Sequence, residues 1–300
     1  MKQDPSIGIL FTNYQSWSLT EQGIREVLRW SGAGISKIVV VDDASDAPAK
    51  FVGSDKVFIH RNLANLGYVR SVNVGMRLLQ AEDVVVFFDC DAYPLMDLLP
   101  EIRRHFQVEE SLGALGFFEV NSEGKTRMAG DQEPTLAHFI MGQALGGWFA
   151  QRGWLIGRRF ILHSCCMAVR QRAFAQIGGF DEAFDFLDAD TDFSMRLMDA
   201  GWRINTDASL NAFHRGSGSP QTTARRVLRF HCNRWLLLRK HGRVRYLSVC
   251  RLLLKLRHLG EWLMLVLVGK LKLRPAAQVQ EKLSSRRQLI QAVSQDYVVR

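Results

Sequence analysis

No CxxC pair, no Cys/His doublets at zinc spacing and no even cysteine framework occur in these 300 residues. The five cysteines (Cys90, Cys165, Cys166, Cys232 and Cys250) include one adjacent pair that is poorly placed to bridge, so a disulfide scaffold and structural zinc are both excluded. Long hydrophobic runs are missing too. The longest, residues 262–268, is far short of the roughly 20 residues a membrane span requires. No GxGxxG follows the first apolar run, which removes a nicotinamide dehydrogenase, and no solenoid period or low-complexity tract appears. The opening Met1-Lys2-Gln3-Asp4-Pro5-Ser6 leads straight into a strand-like run with no room for a secretory leader. Together with the unpaired thiols, this predicts a cytoplasmic chain.

What is plentiful is charge, unevenly placed. The net charge is +9, yet residues 1–220 hold 21 Lys and Arg against 27 Asp and Glu, whereas residues 221–300 hold 18 against 3. An acidic body carries a basic tail. That tail alternates basic residues with Leu, Val and Trp over 225–239 and 247–272. Helices lying on an anionic membrane surface have this pattern, and no nucleic-acid motif accompanies it. A nucleic-acid-binding protein using the tail is the competing class, and nucleic acid is not the partner expected.

The first 115 residues alternate short apolar runs (7–12, 38–41, 57–60 and 84–88) with amphipathic stretches (20–30 and 72–79). Near-continuous β-branched runs between helices predict an α/β chain with an open, mainly parallel sheet buried on both faces. Further on, 164–169 reads as a strand, 172–177 and 193–200 as helices, and the glycine- and aromatic-rich stretch 119–160 as substrate-shaping loops. Cys165-Cys166 reads as core packing, and the aromatics of 148–154 as packing or a sugar-stacking surface.

In such sheets ligands bind beyond the carboxyl ends of the strands, and two strands here end in clustered acids. Asp89-Cys90-Asp91 can hold a hard divalent cation against a diphosphate. Asp42-Asp43-Ala44-Ser45-Asp46 can accept from a nucleobase or ribose, or form a solvated turn. Asn65-Leu66-Gly67 sets a glycine turn before a helix start, where free amides favour a phosphate. Arg70 adds positive charge there, and Ser71 or Asn73 can serve as plain caps. Asp188, Asp190 and Asp192 exceed what capping one helix needs, so one of them can serve as a general base. His214, beside a Gly/Ser loop, is either a structural donor or a metal or phosphate ligand.

Taken in order, these segments resemble glycosyltransferase family 2, in its rhamnosyltransferase-like bacterial branch, over residues 7–240. Phe11-Thr12-Asn13-Tyr14-Gln15-Ser16-Trp17 is similar to that branch's opening turn. The segments at 41–46, Asn65–Gly75 and Phe88–Pro94 match its acid motif, helix start and Asp-x-Asp segment. Gly178-Gly179-Phe180-Asp181-Glu182 with Asp190-Thr191-Asp192 and Ala200-Gly201-Trp202 is the most specific part. The family usually carries Glu-Asp where Ala189-Asp190 stands.

The resemblance implies a GT-A fold and metal-dependent, inverting transfer of a sugar from a nucleoside diphosphate donor to a glycan or lipid-linked acceptor hydroxyl, in cell-surface polysaccharide or glycolipid assembly. Asp190 is the implied base, with Asp188 covering part of the missing Glu. Asn13, Asp42, Asp43, Asn65, Gly67, Arg70, Asn73 and Asp89 are assigned to the donor, and Asp91, Asp89 and His214 to Mn2+ or Mg2+. The expected domains are 1–220, catalytic, with halves at about 1–115 and 116–220, and 221–300, a basic helical extension that holds the enzyme at the inner face of the cytoplasmic membrane. Ala189 motivates the other alternative, a catalytically inactive scaffold with the same fold.

Overall fold

A computed structural model describes residues 4–47, 54–216 and 223–297. The first three residues, the 217–220 part of the Gly/Ser loop and the boundary expected at residue 220 lie outside the described residues.

Four runs form the parallel heart of a sheet: β1 (Ile7–Asn13), β2 (Lys37–Asp42), β3 (Val57–Arg61) and β4 (Val84–Phe88), with α1 (Trp17–Ser31) and α2 (Tyr68–Leu78) between them. β1, β2 and β4 are buried almost throughout, which is why they read as unbroken apolar runs. The chain continues through β5 (Ala92–Pro94), α3 (Leu99–Val108), β6 (Leu112–Val120), β7 (Thr126–Met128), β8 (Gly130–Gln132), α4 (Leu136–Ala150), β9 (Phe160–Leu162), β10 (Cys166–Arg170), α5 (Gln171–Gln176), α6 (Ala189–Asp199) and β11 (Arg203–His214). Three helices complete it: α7 (Thr223–Lys240), α8 (Leu247–Lys270) and α9 (Ala276–Ser294).

The main sheet runs β3-β2-β1-β4-β10-β6-β11-β5, with β7 on β6, and β8 pairs β9 separately. β10 is antiparallel to both β4 and β6, so the sheet is mixed in its second half. The described residues pack as two compact units. One comprises the described residues up to 131 and those of 160–216, and the other those of 132–159 and 223–297. The first holds the sheet, with a core of residues such as Phe11, Ile38, Val86, Phe88, Leu115 and Phe117. The second is helical, its core built from Phe139, Trp235, Leu254, Leu289, Val293 and Tyr297.

The loops expected across 119–160 are corrected. β6 extends to Val120, β7 and β8 follow, and α4 occupies Leu136–Ala150. α4 escapes a periodicity search because it is two short helices broken at Gly142 (φ 78). A Cβ at Gly142 would stand 2.6 Å from the Arg257 guanidinium, which donates to the Phe139 carbonyl and so ends the first half. The aromatics of 148–154 pack on each other: Trp154 stacks on Phe149 and Arg152 covers Trp148.

Candidate active site

The strand ends converge. β4 stops at Phe88, and the chain turns through Asp89-Cys90-Asp91 into β5. Antiparallel pairing sets Ala92 opposite His214 on β11. β11 also runs beside β6, with Ala212 opposite Glu119. Three acids and a histidine, from three separate parts of the sequence, therefore meet. His214 Nε2 lies 3.6 Å from Asp91 Oδ1 and 4.0 Å from Asp89 Oδ2, while its Nδ1 donates to Glu119 Oε2 at 3.0 Å. With Nδ1 spoken for, Nε2 is the nitrogen presented to the two aspartates.

Glu119, 2% exposed, was not singled out in the sequence and is the hub. It accepts from His214, from Arg127 Nη2 at 2.9 Å and from Cys165 Sγ at 3.2 Å, and His163 Nδ1 lies 3.6 Å away. Burial alone would raise its carboxyl, but His163, His214, Arg127 and Cys165 outweigh that and hold it far below the usual range. Burial would lower His214, yet Cys165, Glu119 and the Asp89 charge push it up to about 11. Asp89 is raised to about 6 by burial, with His214 opposing and Asp91 and Asp190 adding.

Asp190 comes from the first turn of α6. That helix is entered through Asp188 in a left-handed conformation (φ 62), and the Asp190 carboxylate accepts from Thr191 N at 2.8 Å. Burial raises Asp190, His163 opposes and Asp188 adds. His163, also unmarked in the sequence, is held by Asp131 at 3.1 Å. Burial would lower it, but Asp131 and Glu119 raise it to about 10. Tyr68, at the start of α2, donates to Ser164 Oγ at 2.9 Å, and its own ionisation is pushed far up by burial and by Asp89. Asp192, by contrast, is fully buried in an ion pair with Arg196 at 2.7 Å and braces α6.

The second cluster is an internal brace. Asn13 donates to Asp42 Oδ1 at 2.8 Å and to Ser45 Oγ at 3.1 Å, and accepts from Thr20. Asp42 Oδ2 is buried with no hydrogen-bond partner and has Arg61 Nε 3.8 Å away. Asn65, Gly67, Arg70 and Asn73, which the resemblance assigns to the donor, make the following contacts within the chain. Asp43 takes the Leu66 and Gly67 amides, each at 2.8 Å, because a buried carboxylate draws the nearest donors. Asn65 Oδ1 accepts from the same Gly67 amide. Arg70 pairs with Glu182 at 3.2 Å, and Asn73 clamps both the amide and the carbonyl of Phe180.

The Asp89, Asp91 and His214 ligand atoms lie within 4.8 Å of one another. Two carboxylates and one imidazole, oriented from behind by Glu119, are a donor set that fits Mn2+ or Mg2+.

The Glycosyl transferase family 2 profile matches residues 6–178, more than half of the chain. The N-acetylglucosaminyl-diphospho-decaprenol L-rhamnosyltransferase of Mycobacterium tuberculosis, in strains CDC 1551 and H37Rv, is 32% identical over 101 residues. These cover 30% of this chain and 33% of that protein, so the match spans about a third of the relative's length. Among solved structures, GalNAc-T7 with UDP, GalNAc and Mn2+ superposes with a TM-score of 0.58 at 10% identity, over 78% of this chain and 48% of that one. The mannosyltransferase PcManGT from Pyrobaculum calidifontis, in complex with GDP-Man and Mn2+, gives 0.52 at 12% identity, over 98% and 87%. These two likenesses are to the GT-A glycosyltransferase fold, which is the architecture of the sheet-bearing unit. By the breadth of its profile match, supported by that fold, the chain belongs to glycosyl transferase family 2.

Proposed function

We propose that the chain transfers a sugar from a nucleoside diphosphate donor to an acceptor hydroxyl with inversion, Asp190 acting as general base. The observation that carries this reading is the cluster of Asp89, Asp91 and His214 where the strands end, with Asp190 near enough for its charge to raise Asp89. Burial raises Asp190, which makes its carboxylate a stronger proton acceptor, and the His163 charge opposes that rise and favours the ionised form. Inversion needs a single displacement, so one base is sufficient and no covalent intermediate is required. A divalent cation held by Asp89, Asp91 and His214, when bound, neutralises charge on the diphosphate leaving group. The donor's nucleoside lies along the edge formed by Asp42 and Asp43, as the family resemblance implies.

The acceptor we propose is lipid-linked, in cell-surface polysaccharide or glycolipid assembly. The partial likeness to an enzyme named for a diphospho-decaprenol substrate supports it. The basic helices, α8 above all with its row of exposed leucines, support attachment to an anionic membrane surface at the cytoplasmic face. No described helix is long and apolar enough to cross a membrane.

Asp190→Asn tests the assignment of the base. Transfer falls by three orders of magnitude or so while donor-nucleotide affinity, read by calorimetry, stays within about twofold. Wild-type turnover by this variant would remove Asp190 from the role.

A further inference from the structure

The helical unit exposes large apolar side chains in two places that sequence reading treats separately. On α8, Leu252, Leu256, Leu259, Leu263 and Leu267 recur at three- and four-residue spacing and face solvent, while Cys250, Leu254 and His258 are buried. On the second half of α4 and the turn after it, Leu145, Trp148 (49% exposed), Trp154 (62%) and Ile156 are also exposed. This turn is built, not loose. Gly153 adopts φ +76, the Trp154 amide returns to the Phe149 carbonyl at 3.0 Å, and the Trp154 ring stacks on Phe149 at 5.8 Å. That is a glycine-closed helix end with its customary hydrophobic contact. Arg152 stands 3.7 Å over the Trp148 ring and Arg158 is exposed nearby in sequence. Arg257 on α8 donates to the Phe139 carbonyl in the first half of α4, so the helix that carries the leucine row holds the segment that leads, through the break at Gly142, to the turn.

From this we infer that the Trp148–Trp154 turn is a membrane-inserting tip. It sinks into the headgroup layer of an anionic bilayer beside α8, with Arg152 and Arg158 reaching lipid phosphates. Trp rings with an adjacent guanidinium suit a boundary that is apolar on one side and charged on the other. A second copy of the chain is the poorer occupant. Residues 221–300 hold 18 basic against 3 acidic residues, so two copies brought together through this unit repel each other. The inference rests on the membrane-facing reading of the basic helices.

The experiment is flotation of the full chain with vesicles of phosphatidylethanolamine and phosphatidylglycerol. Trp148→Ser with Trp154→Ser is expected to lower vesicle partition by about tenfold, with a cooperative melting transition retained and unchanged donor-nucleotide affinity. Trp148→Phe with Trp154→Phe is expected to restore most of the binding. Unchanged partition of the Ser variant overturns the tip and leaves the membrane reading of α8 standing. No flotation of the wild type overturns both. Lipid-free dimerisation that the Ser substitutions abolish gives the surface to a second copy and overturns the inference.

Discussion

At the residue scale the site is a balance of protons. His214 is flanked by Asp89, Asp91 and Glu119; against its burial, Cys165, Glu119 and the Asp89 charge raise it to about 11, so near neutral pH it carries a proton that a cation at Nε2 must displace. Asp89, raised to about 6 by burial, is ionised above that pH and protonated below it. The sign follows for both groups: cation binding is favoured as pH rises, because ligands must be deprotonated. Titration with Mn2+ at pH 7.5, in buffers of different ionisation heat, should show release of about one proton per cation, from His214. Below about pH 6 the release should approach two as Asp89 joins. Binding without proton release at pH 7.5 would take His214 out of the ligand set.

Elements decide which residues reach the site, and here Asn73 matters more than its place in α2 suggests. Its side chain donates to the Phe180 carbonyl at 2.9 Å and accepts from the Phe180 amide at 3.0 Å, fixing the loop that leads into Asp188 and α6. Gly179, in that loop, holds φ +76, and a Cβ there would meet Asn73 Oδ1 at 2.8 Å. Asn73→Ala leaves both Phe180 backbone groups unsatisfied in a buried position. It should cost about 2–4 kcal/mol in denaturant unfolding and lower turnover more than donor affinity. A variant as stable as wild type would show that the clamp is replaced by water.

The same scale explains what could be read in advance. β1, β2 and β4 are legible because strands buried on both faces are unbroken apolar runs, and the acids that end β2 and follow β4 stand out. β6, Leu-Gly-Ala-Leu-Gly-Phe-Phe-Glu-Val, has two glycines inside it, so the run looks broken and its terminal acid, Glu119, went unmarked by the very rule that found Asp42 and Asp89. β11 alternates polar residues with Ile204, Thr206, Ala208, Leu210 and Ala212, a two-residue period the strand search passed over, and its register shifts against β6 are set by the fold. His214 was noticed as a residue, but its partners depend on that pairing and are invisible in one dimension.

On the scale of the whole molecule, the charge asymmetry yields the broadest prediction. Deleting everything beyond residue 221 is a poor test of the basic region. The helical unit includes 132–159, and Phe139 packs against His231, Trp235 and Tyr297, so truncation would strip the cover from α4 and confound misfolding with lost binding. Exposed cations offer a cleaner route. Lys255, Lys270, Lys272 and Arg274 are all exposed and lie on or just beyond α8. Each basic residue near an anionic leaflet contributes about 1 kcal/mol. Changing all four to Gln should therefore weaken partition onto phosphatidylglycerol-containing vesicles by about two orders of magnitude or more. Partition onto neutral phosphatidylcholine should change little, since no surface potential is lost there. The wild type should also detach as salt rises, because the attraction is screened over about 8 Å at physiological ionic strength. The four substitutions lie in the helical unit and none is a residue assigned to the donor, so donor-nucleotide affinity should be unaltered. Vesicle binding that ignored both the substitutions and the salt would mean that the apolar surface alone holds the protein, and the basic excess would need another partner.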